Sequence, residues 1–423
     1  MDRGVTGRGM SPGPQHGPGE TLAAGRDPAD DPLHGIRVLD LTSVIMGPFA
    51  TQHLGDLGAD VITLETPKAS TNREMTDGPV SGLSGMALNL LRNKRSVIVD
   101  LKSPEGRDVA LRIAQTCDVL VTNLRPGSLR RLGLDYQSLA AVRPDLVYCQ
   151  AQGFPSDSEA AEDPAYDDII QAATGFADVN ARVNGRPGLA PTILADKVSG
   201  LVVAEAILAG LLRRQRTGRG CHLEVPMTDA MTQFMLVEHG AAAISIPPAG
   251  PPGYRRILTP NRRPAQTADG WIHVLPYSRR NYVDLFTAGG RPELAVDPRI
   301  ASIRSRVSNA DTLYRDIEAL LTQRTTGEWL EFCRERQIPA SAIISLDALV
   351  EQQPVASHPV AGEYRAVRSP IRIDGEKQTQ VRRPAPLQGQ QTEEILGEAD
   401  YSTSDIARLL KDEIVQTTPT VRG

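Results

Sequence analysis

The sequence predicts an α/β protein with a doubly wound parallel sheet in a large domain and a smaller middle α+β domain. Short apolar segments alternate with helical segments through the first half of the chain, which is typical of parallel β-α-β units. This alternation ends after Met227, and the Pro/Gly-rich segment 247–253 marks a break. A length of 423 residues is enough for two or three domains.

The first β-α-β unit lies close to the start of the ordered chain. Strands are predicted over 36–41 and 60–65, with a helix between them over 47–57. Pro48 suits the first turn of that helix, where a missing N–H costs nothing, and Gly58 suits its end. The turn after the first strand lacks a Gly-x-Gly-x-x-Gly motif, so a dinucleotide cofactor in the usual position is not indicated.

The same alternation continues to about residue 225. Further strands are predicted over 95–101, 118–122, 145–150 and 222–225, and a helix over 104–116 is capped by Ser103. In such sheets, ligands bind at the carboxyl ends of the strands. Lys102, Arg125 and Arg131 follow strand ends and could each meet a phosphate, although each could equally be an ordinary surface residue.

Composition sets the domain boundaries. Residues 1–32 are rich in Gly, Pro, Asp and Arg, which predicts a disordered tail rather than a signal peptide. Residues 33–227 are assigned to the N-terminal part of the large domain and 228–325 to the small domain. Residues 326–423 are expected to return to the large domain.

Charge and cysteine content exclude several classes of protein. A net charge of −5 argues against a nucleic-acid-binding protein. Charges interrupt every apolar run before the roughly 18–20 residues of a membrane span, so no membrane association is expected. The four cysteines are far apart in the sequence, which indicates neither a metal site nor disulfides and favours a cytoplasmic location.

Asp196 stands where a segment marked by Pro187 and Pro191 gives way to an apolar helix that Gly218 ends. Asp is a preferred helix N-cap, so capping is the simplest role for this side chain. The positive end of the helix dipole would also favour its ionised form. A nucleophile is the alternative, and the local sequence does not decide between the two.

Seven short motifs occur in a fixed order between residues 35 and 220, and the resemblance that they carry covers nearly all of residues 33–400. They are GIRVLDLT (35–42), GP (47–48), LGADVI (57–62), NKRS (93–96), DLKSPEG (100–106), NLRPG (123–127) and TGRG (217–220). Together they resemble the class III CoA-transferases of the CaiB/BaiF type. That family includes formyl-CoA transferase and carnitine CoA-transferase, and it shares its fold with the α-methylacyl-CoA racemases.

The resemblance implies a site. Asp196 occupies the position of the family's catalytic aspartate, within an Ala-Asp-x-x-x-Gly pattern. Coenzyme A, bound as the acyl-CoA substrate, would be contacted by Ile45, Met46, Val99, Lys102, Asn123, Leu124, Arg125, Arg131 and Met227. Asp167 is expected to be a structural residue beside this site. The resemblance also implies an intertwined homodimer.

The implied reaction transfers CoA from an acyl-CoA thioester to a carboxylic acid. Asp196 would attack the thioester carbonyl to form an anhydride, and the CoA thiolate would then return to form an aspartyl-CoA thioester. A second acid would reverse these steps. Such chemistry calls for a site that excludes water, and it uses no metal or redox cofactor.

Two other functions stay open on the sequence. A racemase of this fold needs a base on each face of the substrate, but Tyr166 stands where related racemases have histidine, and tyrosine is a poor base near neutral pH. A non-catalytic acyl-CoA-binding protein would have no use for a carboxylate at position 196. The acid donor and acceptor are also open, because Gly250 and Gly253 only sparsely match the glycine-rich loop of formyl-CoA transferase.

Overall fold

The computed structural model describes residues 28–68, 70–377 and 381–418. Within these ranges the chain forms two compact units. The larger unit comprises 28–178, 188–237 and 350–418, and the smaller comprises 179–187 and 238–349. Residues 1–27 of the predicted tail lie outside the described residues, and Pro28–Asp30 forms a short 3-10 helix.

Alternating strands and helices make up the first half of the described chain. They are β1 (Arg37–Leu41), α1 (Met46–Asp56), β2 (Asp60–Glu65), α2 (Thr71–Glu74), α3 (Gly85–Leu90), β3 (Lys94–Val99), α4 (Pro104–Gln115), β4 (Val119–Thr122), α5 (Pro126–Leu132), α6 (Tyr136–Val142), β5 (Val147–Gln152), α7 (Asp167–Ala173), α8 (Phe176–Asn184), α9 (Ala195–Thr217), β6 (Cys221–Pro226) and α10 (Met227–His239).

The second half is richer in short elements. They are β7 (Ala265–Gln266), β8 (Trp271–Val274), α11 (Arg279–Ala288), α12 (Ile303–Ser308), α13 (Ala310–Leu321), α14 (Thr326–Glu335), β9 (Ala340–Ala342), α15 (Leu346–Glu351), β10 (Val355–His358), β11 (Gly362–Arg365), β12 (Arg372–Ile373), β13 (Glu376–Lys377), α16 (Thr392–Glu398), α17 (Thr403–Lys411) and β14 (Val415–Gln416).

A seven-stranded sheet in the order β14-β3-β2-β1-β4-β5-β6 forms the centre of the larger unit. β1 to β6 are parallel, and β14 joins the edge antiparallel to β3. The predicted α/β class with a large, mainly parallel sheet is therefore confirmed. The strand order reverses direction between β1 and β4, which is the position where open α/β sheets form a ligand crevice.

Helices cover both faces of this sheet. Leu39 of β1 packs in a core that includes residues of α4, α16 and α17, whereas the preceding residue, Val38, packs in a core with α1 and α9. Because neighbouring strand residues point to opposite faces, both faces need apolar side chains. This explains why the strands read as continuous apolar segments.

The predicted helix ends match the structure. The Ser103 hydroxyl accepts a hydrogen bond from the Gly106 N–H at 3.3 Å, at the start of α4. Gly218 ends α9 with a left-handed backbone (φ 67°). No helix in the described part of the chain is long and apolar enough to cross a membrane.

The smaller unit contains a three-stranded antiparallel sheet in the order β7-β8-β9, with a core that includes residues of α11, α13 and α14. Trp329 of α14 is fully buried, and its indole N–H donates to the Leu321 carbonyl at 2.8 Å. α14 and β9 belong to this unit, whereas the sequence-based division assigned them to the returning part of the large domain. The pairing of β9 with β8 is a long-range contact that composition does not reveal.

Candidate active site

Asp196 lies in the first turn of α9 and is buried, with 8% of its surface exposed. The prediction that it is the N-cap is wrong. Leu194 is the N-cap, and its backbone already has helical dihedral angles (φ −95°, ψ −54°). The Asp196 carboxylate therefore does not close its own helix and lies instead against α1, beside the backbone of Met46.

Burial raises the pKa of Asp196 from 3.8 to about 6, and the negative charge of Asp167 adds to this rise. A backbone hydrogen bond from Met46 acts in the opposite direction. The expectation that the helix start would favour the ionised form is thus outweighed by desolvation. With a pKa of about 6, roughly nine-tenths of the Asp196 side chains are ionised at pH 7.

Asp167, the first residue of α7, supplies the missing cap from a different helix. Its Oδ1 accepts a hydrogen bond from the Asp196 N–H at 3.0 Å. Its Oδ2 accepts one from the Gln171 amide at 2.5 Å, and the Gln171 Oε1 accepts the Ala190 N–H at 2.8 Å. The expected structural role of Asp167 agrees with these bonds, which fix the start of α9 and the segment before it.

Close packing of α1 on α9 sets the distance between Met46 and Asp196. Gly200 lies one turn beyond Asp196, and a Cβ at this position would be 2.7 Å from the Met46 carbonyl oxygen and 3.2 Å from the Phe49 ring. The final glycine of the Ala-Asp-x-x-x-Gly pattern is therefore required by backbone contact.

The loop between β1 and α1 is held in a strained conformation. Val44 has a left-handed backbone (φ 67°), which is rare for a β-branched residue and costs about 1–3 kcal/mol. The Asn123 side chain, after β4, donates to the Ser43 carbonyl at 2.9 Å and accepts the Ser43 N–H at 3.1 Å. This pair of bonds joins the loops after β1 and β4, where the strand order reverses.

Two hydroxyl groups that the sequence did not single out also lie near these elements. Ser199, one turn beyond Asp196 on α9, is completely buried, and its hydroxyl has no hydrogen-bond partner among the described residues. The same holds for the buried hydroxyl oxygen of Thr228, in the first turn of α10. Serine and threonine are common near helix starts, so the sequence carried no signal for either.

Eight of the nine predicted CoA-contacting residues lie at or just after the carboxyl ends of strands or at the starts of the helices that follow them, but not in one group; Arg131 lies in the last turn of α5. Ile45 and Met46 at the start of α1, Val99 at the end of β3 and Met227 at the start of α10 are buried; Asn123 and Leu124 are half-buried; Lys102, Arg125 and Arg131 are exposed. Hydrogen bonds join the loops that carry Ile45, Met46 and Asn123. β2 separates Val99 and Lys102 from this group, and β5 separates Met227 from it.

Some of these side chains already have local partners. The Arg131 guanidinium donates to the Ser128 hydroxyl at 2.9 Å, and the Asn123 side chain is hydrogen-bonded to Ser43. Arg125 is the N-cap residue of α5, but its side chain makes no capping hydrogen bond. Over the described ranges, no group of three or more His, Cys, Asp or Glu side chains is placed to hold a metal ion.

Comparison with known proteins identifies the family. Residues 33–392 match CoA-transferase family III. The chain is 31% identical to the succinyl-CoA:glutarate CoA-transferase of Mus musculus, covering 94% of this chain and 96% of that protein. It is 30% identical to the formyl-CoA:oxalate CoA-transferase of Streptomyces coelicolor, covering 90% and 98%. A CaiB/BaiF family protein from Brucella suis has the same fold, with a TM-score of 0.71, 29% identity and coverage of 87% and 99%.

The chain belongs to CoA-transferase family III and is a class III CoA-transferase. The resemblance drawn from the seven short motifs is confirmed.

Proposed function

We propose that the chain moves CoA from an acyl-CoA thioester to a carboxylic acid, with Asp196 as the nucleophile. The observation that carries this proposal is the burial of Asp196 beside the Met46 backbone with a pKa of about 6. Such a carboxylate is mainly ionised at neutral pH and is nevertheless poorly solvated, which favours attack on a carbonyl carbon.

The proposed reaction begins when an Asp196 carboxylate oxygen attacks the thioester carbonyl carbon. The carbon–sulfur bond breaks, CoA leaves as a thiolate, and an anhydride joins Asp196 to the acyl group. The thiolate then attacks the aspartyl carbonyl, and the first acid leaves as a carboxylate, which yields an aspartyl-CoA thioester. The acceptor carboxylate repeats these two steps in reverse order, so that a new acyl-CoA forms and the Asp196 carboxylate is regenerated.

Backbone N–H groups support this series of reaction steps. Charge develops on the carbonyl oxygen during each attack. The first-turn N–H groups of α1 and α9 other than those of Met46 and Asp196, which already donate to carboxylates, are suited to stabilise it. The nine predicted contact residues would hold CoA, with Lys102, Arg125 and Arg131 available for its phosphates. No metal or redox cofactor enters the proposed steps.

The acids to test first are short dicarboxylic acids, because glutarate and oxalate are the acceptors named for the two relatives. We also propose a cytoplasmic, intertwined homodimer. Exposed leucines at positions 201, 208 and 212 of α9 follow one helix face, and a partner chain would cover such a face.

Trapping the acyl-enzyme tests the proposal. The protein is incubated with succinyl-CoA, oxalyl-CoA or acetyl-CoA, hydroxylamine is added, and peptides are examined by mass spectrometry for a hydroxamate at Asp196. Asp196→Ala should abolish both the adduct and acid exchange, whereas Asp168→Asn, an exposed neighbour of Asp167, should retain both.

Two results would contradict the proposal and identify the alternatives. Solvent deuterium incorporation at the α-carbon without acid exchange would indicate a racemase. The structure gives no support to Tyr166 as the base of such a reaction, because this side chain is 65% exposed at the N-cap of α7. Binding of acyl-CoA without exchange and without any adduct would indicate a binding protein.

A further inference from the structure

We infer that Asp40 and Lys94 are positioning residues, which together hold the loop before α1 so that the Met46 backbone packs against the start of α9 beside the Asp196 carboxylate. This inference rests on the proposed role of Asp196 as nucleophile. Asp40 and Lys94 belong to the motifs GIRVLDLT and NKRS, and the proposed reaction assigns neither of them a task.

Asp40 organises the loop from the end of β1. Its side chain is buried, and its Oδ1 accepts the Thr42 N–H at 3.0 Å and the Thr42 hydroxyl at 2.5 Å. Its Oδ2 accepts the Thr51 hydroxyl of α1 at 2.6 Å and the Thr63 hydroxyl of β2 at 3.3 Å. One carboxylate thus joins the loop, the helix that follows it and the neighbouring strand.

Lys94 completes this arrangement from β3. It is completely buried, and its Nζ donates to Asp40 Oδ2 at 3.1 Å, to the Thr51 hydroxyl at 2.7 Å and to the Pro48 carbonyl at 3.0 Å. Three acceptors satisfy the three protons of an ammonium group. Burying an ion pair is costly, so full pairing of this kind indicates a demand for precise geometry more than for stability.

The residues that Asp40 and Lys94 hold in place are close in sequence to Met46, whose backbone lies beside Asp196. Thr42 and Pro48 flank the segment that contains Met46. A Cβ on Gly47 would lie 2.2 Å from the Thr42 Cβ, so the loop is packed closely on itself. Strained loops of this kind persist only when the surrounding contacts determine their conformation, and the left-handed Val44 identifies such a loop here.

The ionisation of Asp196 reports the position of the Met46 amide. Burial raises the pKa of Asp196 most, the charge of Asp167 raises it further, and the Met46 backbone lowers it. The titratable groups on the elements packed against α9, and beside Asp196 on α9 itself, lie on α1, α7, β5, β6 and α9. They are His53, Asp56, Asp167, Asp168, Tyr148, Cys149, Cys221, His222, Glu224 and Lys197. None of these residues is itself replaced in the Lys94→Met/Asp40→Asn variant, and of them Asp56 interacts with the Lys94 charge.

The test removes both charges at similar volume in the Lys94→Met/Asp40→Asn double variant. Acid exchange should fall on the order of 10²-fold, the loss expected when a reacting group is misplaced by about 1 Å. The acidic limb of the kcat/KM profile should move to higher pH, because the ionised carboxylate loses a hydrogen-bond donor. A purely structural role would lower the folded fraction and leave this limb in place.

A matched control is the Arg73→Met/Glu65→Gln double variant. This buried ion pair lies in the same unit, with 2.7 Å between its charged atoms and side chains 1% and 3% exposed. Among the described residues its hydrogen bonds go to Ser70, Gly82, Ser96 and Pro386 and not to the loop before α1, while the Glu65 charge acts on Lys94 only through space. Its pH profile should match the wild type. A shift equal to that of the Lys94→Met/Asp40→Asn variant would overturn the inference.

Thr51→Val decides the case if the double variant does not fold. It removes the hydroxyl shared by Asp40 and Lys94, and it should move the acidic limb in the same direction by a smaller amount; an unmoved limb would refute the inference. Asp196→Ala separates the two proposals. If this variant still exchanges acids, the nucleophile assignment fails; if it is inactive while the folded Lys94→Met/Asp40→Asn variant behaves as wild type, only the positioning role fails.

Discussion

Replacing Asp196 by Asn should make the protein more stable at neutral pH, and the gain should disappear in acid. Asn has the same shape as the protonated side chain and carries no charge. The rise of the pKa from 3.8 to about 6 means that ionised Asp196 destabilises the folded state by about 3 kcal/mol at pH 7.

The sign follows from proton binding. Between pH 6 and pH 4 the folded protein retains a proton on Asp196 that the unfolded chain has lost, so the wild type gains stability as the pH falls. The destabilisation by ionised Asp196 therefore reaches its full value above the pKa that Asp196 has in the folded protein. It falls to about 0.5 kcal/mol at pH 4. An unfolding entropy of about 2.1 cal/mol/K per residue converts 3 kcal/mol into a Tm difference of about 3 °C for this chain.

The assay is thermal unfolding of wild type and Asp196→Asn at pH 4, 5, 6 and 7. The Tm of the variant should exceed that of the wild type by about 3 °C at pH 7 and by less than about 1 °C at pH 4. Any Tm difference that the substitution causes equally at every pH is subtracted first. Asp168→Asn is the control, since Asp168 is exposed, and its difference from wild type should not vary with pH. A difference for Asp196→Asn that is constant from pH 4 to pH 7 would refute the reasoning.

Three further predictions concern packing and assembly. Gly200→Ala should lower the free energy of unfolding by about 1–3 kcal/mol, measured by urea titration, and remove most of the exchange activity, because the new Cβ meets the Met46 carbonyl. The control is Gly397→Ala on α16, where a Cβ would have no atom within 4 Å, and it should raise the free energy of unfolding by up to about 1 kcal/mol. Asn123→Ala should lose about 1–2 kcal/mol and raise the KM for acyl-CoA in steady-state kinetics, and an unchanged KM would remove its loop from the binding site. Leu208→Glu should convert the proposed dimer to monomers in sedimentation, whereas an unchanged mass would show that this face of α9 is not the interface.

Local sequence signals predicted most of the larger unit. The six strands β1 to β6 and the helices α1 and α4 lie within a few residues of their predicted bounds, and Ser103 and Gly218 act as the predicted helix ends, whereas the short helices α2, α3, α6 and α8 were not predicted. These features depend on residues that are neighbours in sequence, such as a capping hydroxyl and the N–H three residues later. The order of the motifs was also sufficient to identify the family.

Asp196 shows where such signals stop. The position of Asp196 at a helix start was correctly predicted. Its role as a cap was not, and the direction of its pKa shift was not either. Asp167, 29 residues earlier, accepts the Asp196 N–H, while burial against α1 raises the Asp196 pKa. Neither effect is visible in the residues around position 196.

The sequence by itself therefore determined the α/β class, the order of elements and the carboxylate at the start of α9. The tertiary structure alone decided how buried that carboxylate is, which groups face it, and that Asp40 and Lys94 meet beneath the loop before α1. The physical reason is the distance along the chain over which each effect acts. Propensity and capping act over a single turn, whereas desolvation, charge and packing depend on segments that only folding brings together.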